Sequence, residues 1–103
     1  MVAATLSAAY AQTGTWSGKL AVQGTSLTLV FHLDDENPTI DSPDQGARGI
    51  SAQIERPGAG KVIVRIPSLG ARYEGQWLIR QIVGTFTQMN QSFPLTLTPG
   101  ESK

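Results

Sequence analysis

Gly14 to Leu33 reads GTWSGKLAVQGTSLTLVFHL, two alternating runs around Gly24-Thr25, and this alternation limits the fold more than any other feature of the chain. Side chains of an extended strand point to opposite faces with period 2, so alternation fixes which residues share a core. One face of the first run carries Trp16, Gly18, Leu20 and Val22; the other carries Ser17, Lys19, Ala21 and Gln23. In the second run Leu27, Leu29, Phe31 and Leu33 form the apolar face, and Ser26, Thr28, Val30 and His32 face the other way. A helix would scatter these residues around its axis, so the pair predicts a hairpin packed on one side.

The rest of the chain repeats this grammar. Asp34-Asp35-Glu36-Asn37-Pro38 closes the hairpin, because Pro cannot donate to a ladder, and a short strand follows over Thr39 to Ser42. Ser42 to Gly49, with one Pro and two Gly, predicts an irregular loop. Ile50, Ala52 and Ile54 mark a fourth strand that ends in the breakers Arg56 to Gly60. Lys61 to Ile66 is the fifth, and Ala71, Tyr73, Gly75 and Trp77 line the inner face of the sixth. Arg80 to Gln88 and Gln91 to Thr98 complete the series, with Pro94 on outward parity, where its missing donor would interrupt the closing seam. About eight short strands with hairpin-length links predict an all-β fold, an antiparallel up-and-down meander closed into a small barrel. Gly18, Gly75 and Gly84 on inward parity predict sharp strand bends and leave open whether the interior is filled.

Composition bounds the function. With 103 residues the chain has room for one core, and its boundaries read as an N-terminal arm or export-signal remnant over 1–12, a barrel domain over 13–99 and a tail over 100–103. Eight basic and eight acidic side chains give no net field to draw in nucleic acid, and no apolar run is long enough for a spanning helix. Without Cys there is no disulfide, thiol nucleophile or thiolate metal site. Ala9-Tyr10-Ala11 before Gln12 has the small-x-small form of a signal-peptidase site, which predicts an exported protein, periplasmic or extracellular.

Several phrases carry a resemblance: Gly14-Thr15-Trp16-Ser17-Gly18-Lys19-Leu20, Leu29-Val30-Phe31-His32, Asp41-Ser42-Pro43-Asp44-Gln45-Gly46-Ala47, Ile66 to Gly75, Gly84 to Gln88 and Phe93 to Leu97. They resemble the small all-β domain that precedes the catalytic domain in secreted bacterial serine hydrolases of the α/β-hydrolase superfamily. The resemblance implies a non-catalytic accessory module that docks on, or orients substrate for, an α/β-hydrolase catalytic domain. Such a domain follows directly in that family, whereas here Gly100-Glu101-Ser102-Lys103 closes the sequence, so a fragment or a free-standing relative is expected. The shorter Gly14-Thr15-Trp16 is similar to the first strand of lipocalins, although Gln91 to Thr98 lacks the Arg that packs over that Trp. That similarity implies the alternative, a free-standing carrier of a small apolar ligand.

Candidate chemistry is sparse. No Gly-x-Ser-x-Gly occurs, and a single His cannot serve as both base and metal ligand, so no catalytic residue, metal or cofactor is expected. His32 reads as a surface histidine, and Asp34, Asp35 and Glu36 as a solvated turn without the rhythm of a calcium loop. Trp16, Tyr73 and Trp77 share inward parity and are candidates either for core or for a ligand platform. The 41–49 loop is longer than its connection requires, which makes Asp41, Ser42, Asp44, Gln45 and Arg48 the candidate partner-binding residues. Their side chains could equally bond their own backbone in Asx-type turns.

Overall fold

A computed structural model of the protein describes residues 14–34 and 36–100. The expected export signal therefore lies outside the described residues. Nine strands follow one another: β1 (Gly14–Val22), β2 (Thr25–Leu33), β3 (Thr39–Ser42), β4 (Ala47–Ser51), β5 (Gln53–Gly58), β6 (Lys61–Ile66), β7 (Ala71–Leu78), β8 (Gln81–Gln88) and β9 (Gln91–Pro99). Two 3-10 turns, η1 (Pro43–Gln45) and η2 (Pro67–Leu69), are the only helical segments among the described residues.

The strands form one antiparallel sheet in the order β4-β3-β2-β1-β9-β8-β7-β6-β5, an all-β, nearly closed barrel. First and last strands meet at Trp16↔Pro99 and Ser17↔Thr98. Beyond that seam β9 pairs continuously with β8 from Gln91 to Leu97, and Pro94 is exposed opposite Thr85. Its missing donor removes no bond from the β8 ladder.

The nine strands differ from the expected eight at one residue. Ile50 to Glu55 alternates without interruption in sequence but is split at Ala52: β4 pairs with β3, and β5 pairs with β6. Ala52 donates its N–H to Pro38 O at 3.0 Å, outside either ladder. The strand thus changes neighbours in mid-course, and the two ends of the sheet are joined through a single residue. The expected loop is also shorter than predicted. Only Pro43–Gln45 and Gly46 interrupt the sheet, and strand pairing resumes at Ala47. Between Ile40↔Ile50 and Ser42↔Ala47 the register shifts, with Gly49 at φ 66° on the bulged strand.

The core follows the inward parity: Trp16, Leu20, Leu29, Phe31, Leu33, Ile40, Val64, Ile66, Tyr73, Ile82, Phe86, Leu95 and Leu97 are all buried. Ser17 and Val30, expected to face outward, are buried as well. Ser17 Oγ donates to Gly100 O at 2.6 Å, while Val30 lies in register between Ser17 and Asp41.

The inward glycines serve close approach. A Cβ on Gly18 would collide with Thr96 O across the β1–β9 seam, and one on Gly84 with Glu74 O and Gly75 of β7. Gly75 leaves no hollow, because the Tyr73 ring and Ile82 occupy the space its Cβ would need. Tyr73 is fully buried and packs edge-on against Phe31 with centroids 5.4 Å apart. Its hydroxyl donates to Leu95 O at 2.8 Å and, more weakly, to Ile82 O at 3.1 Å. Burial pushes the phenol pKa well above its ordinary value.

Tyr73→Phe removes this donor from two carbonyls of the paired β8 and β9 strands, so it should cost about 0.5–1.5 kcal/mol in chemical denaturation. Trp16→Ala should cost about 3–5 kcal/mol through the cavity it leaves. Both variants should keep the far-ultraviolet spectrum of a β protein; a Tyr73→Phe chain as stable as the parent would show that the phenol bond contributes nothing net.

Candidate functional site

The two 3-10 turns share a local sequence. Ser42-Pro43-Asp44-Gln45-Gly46-Ala47-Arg48 and Ile66-Pro67-Ser68-Leu69-Gly70-Ala71-Arg72 both read x-Pro-x-x-Gly-Ala-Arg. In each, Pro begins the turn with its fixed φ, and a left-handed Gly ends it by donating to the Pro carbonyl, Gly46 at 3.0 Å and Gly70 at 3.1 Å. Both turns lie at the same end of the barrel. Antiparallel alternation brings the β1–β2 and β8–β9 turns to that end too.

A cavity of about 340 Å³ opens between them. Its wall is Leu20, Leu29, Ile50, Ile66, Phe86 and Phe93, with Ser42, Gln45, Gln88 and Gln91 supplying the polar atoms. Equivalent positions of the repeat, Ser42 with Ile66 and Gln45 with Leu69, contribute to the lining. The volume sits at the small end of the range for small-molecule sites and is roughly twice the ~150 Å³ apolar cavity that takes a benzene ring. Ser42 is buried, and its hydroxyl donates to Gln45 Oε1 at 2.7 Å. Gln88 Nε2 donates to Leu69 O at 3.0 Å and so braces η2.

The candidate aromatics Trp16, Tyr73 and Trp77 do not line this mouth. Trp16 meets Trp77 edge-on, centroids 4.8 Å apart, at the opposite end, while Tyr73 fills the middle of the core. The structure joins Trp16 and Trp77 to each other and sets both apart from the cavity. Beyond Trp77 the β7–β8 turn exposes Leu78 and Ile79, the latter at 91%.

The 41–49 residues divide into rim and brace. Asp41 Oδ1 accepts the Gly49 N–H at 2.7 Å, stabilising the β4 bulge, and Oδ2 accepts from His32 Nε2 at 2.8 Å. With the ring proton on Nε2, His32 Nδ1 accepts from Thr15 Oγ1 at 3.2 Å. A hydroxyl–imidazole–carboxylate chain therefore crosses the outer face and ties β1, β2, β3 and β4 together. None of its three residues lines the mouth. Asp44 Oδ2 accepts the Thr28 N–H at 2.8 Å and clips η1 to β2. Arg48 is exposed and lies near enough to Asp41 to favour its ionised form. Of the five candidate partner-binding residues, only Ser42 and Gln45 reach the cavity.

Asp34 Oδ1 accepts the Glu36 N–H at 3.0 Å in an Asx-type turn, and Asp35 lies outside the described residues. Among the described residues no group of three or more His, Asp or Glu is placed to hold a metal ion, and no helix is long and apolar enough to cross a membrane. Comparison with protein-family models, curated proteins and solved structures finds no match to this chain. Apart from Ser42 and Gln45, the cavity residues were not singled out by sequence reading, although the repeated Pro-x-x-Gly-Ala-Arg could have marked the rim.

Partial burial works against the Asp41 charge, but the Gly49 N–H, His32 and Arg48 outweigh it and hold the carboxyl below its ordinary value of 3.8. A carboxyl depressed on folding stabilises the fold above its unfolded pKa and loses that contribution as pH falls through the folded one. Asp41→Asn should therefore cost about 1–2 kcal/mol near pH 7, with the gap to the parent closing below about pH 4. Thermal melts of both chains across that range check it. A gap independent of pH would assign the loss to geometry and not to charge.

Proposed function

We propose that the chain is a non-catalytic barrel module that receives the apolar part of a small molecule in the mouth between η1 and η2. The observation that carries this reading is the cavity itself: about 340 Å³, apolar along its wall, with neutral polar side chains at its rim. Small-molecule sites share that construction, apolar walls with a few placed polar groups. The resemblance to accessory domains of secreted bacterial α/β hydrolases extends the reading to a role outside the cytoplasm. There the module docks on a catalytic domain and orients its substrate by holding the apolar end. The same mouth would serve a free-standing, lipocalin-like carrier of a small apolar ligand, and the two roles differ in whether a hydrolase domain is held alongside.

Trp16 and Trp77 stand away from the mouth, which makes amide chemical shifts a better readout than intrinsic fluorescence. Titration with short-chain alcohols and small aromatics should shift the amides of Gln45, Ala47 and Phe93. Ala47→Phe, at a half-buried position on the cavity wall, should abolish those shifts without lowering the melting temperature. If the parent chain shows no shift at the mouth with any such ligand, the binding reading fails. A purified chain that hydrolyses esters, with turnover lost on His32→Ala, would overturn the non-catalytic part.

A further inference from the structure

Resting on the reading of the mouth as a binding site, we infer that it selects uncharged amphiphiles, alcohols, esters or amides with a short apolar chain, and rejects the corresponding carboxylates. No Asp, Glu, Lys, Arg or His lines the cavity. A carboxylate drawn into it would leave water without meeting a counter-charge, which is far costlier than burying a neutral polar group that finds a hydrogen bond.

The polar atoms available are of the right kind for a neutral head. Ser42 Oγ donates to Gln45 Oε1, which orients the Gln45 amide and leaves its N–H groups as donors at the rim. Gln88 Nε2 is used on Leu69 O, which leaves Gln88 Oε1 as an acceptor. One donor and one acceptor suit a hydroxyl, ester or amide. Charge near the rim points the same way. Asp44, the residue before Gln45, is anchored on the Thr28 N–H and sets a negative charge within η1. Arg48, the basic residue of this segment, sits by Asp41 and is absent from the cavity wall. An incoming anion meets no counter-charge in the lining.

The test compares 1-octanol with octanoate at pH 7, binding followed by amide shifts of the mouth residues, in the parent chain and in Gln45→Lys. The parent should bind octanol and take octanoate at least about tenfold more weakly. Because octanoate is also simply the more water-soluble ligand, the decisive quantity is the change in the ratio on substitution. Gln45→Lys should raise octanoate affinity about tenfold relative to octanol by supplying the missing counter-charge. Should that chain fail to fold, Gln91→Lys offers the same charge from another exposed lining position. An unchanged ratio in a folded variant, or equal binding of both ligands by the parent, would overturn charge selection while leaving the mouth a binding site. Shifts confined to Leu78 and Ile79 at the other end, or none with either ligand, would instead overturn the binding reading on which this inference rests.

Discussion

The barrel depends on how closely its strands can approach. A sheet this short curls into a near-closed cylinder only if some backbones touch where side chains would otherwise hold them apart. Gly18 against Thr96 O and Gly84 against Glu74 and Gly75 are those places, one at the β1–β9 seam and one between β7 and β8. Removing side chains there creates a filling problem, and Tyr73 resolves it by laying its ring over Gly75 and binding two strand carbonyls with its hydroxyl. A phenol suits this position because the ring supplies volume and the buried hydroxyl finds backbone acceptors in β8 and β9.

From that arrangement the two ends of the barrel acquire different characters. Trp16 and Trp77 pack edge-on at one end and Tyr73 fills the middle. The other end is spanned by two 3-10 turns whose Pro and left-handed Gly hold the chain in a tight arc over the rim. Neither arc buries a residue of its own, and Gln45 and Leu69 reach the cavity from the rim without filling the space.

Much of this was legible in the sequence, and what was not has physical causes. Period-2 alternation located β3 and β6 to the residue and gave the inward parity, because side-chain direction in a strand is a local property. The break at Ala52 left no local trace: Ile50 to Glu55 alternates cleanly, and only the exchange of partners from β3 to β6 interrupts it. Ser42 to Gly49 read as irregular because Pro and Gly density marks departure from strand geometry without saying how short the departure is. The His32–Asp41 bond joins two outward positions on neighbouring strands, so it depends on a register that alternation alone does not specify.

The same distinction separates brace from site within one short segment. Asp41 faces the outer surface and spends both carboxylate oxygens on the fold, one on the β4 bulge and one on His32. Ser42, the next residue, faces inward by the same alternation and spends its hydroxyl on orienting Gln45 at the mouth. A polar residue on the outer face of a small barrel is free to strengthen strand pairing, since water can satisfy whatever the protein does not. A polar residue on the inner face has no such recourse and must be bonded within the protein or face an opening. Ser42 and Gln45 meet both conditions together at the rim of the mouth, whereas the Tyr73 hydroxyl, deep in the core, meets the first alone through backbone carbonyls.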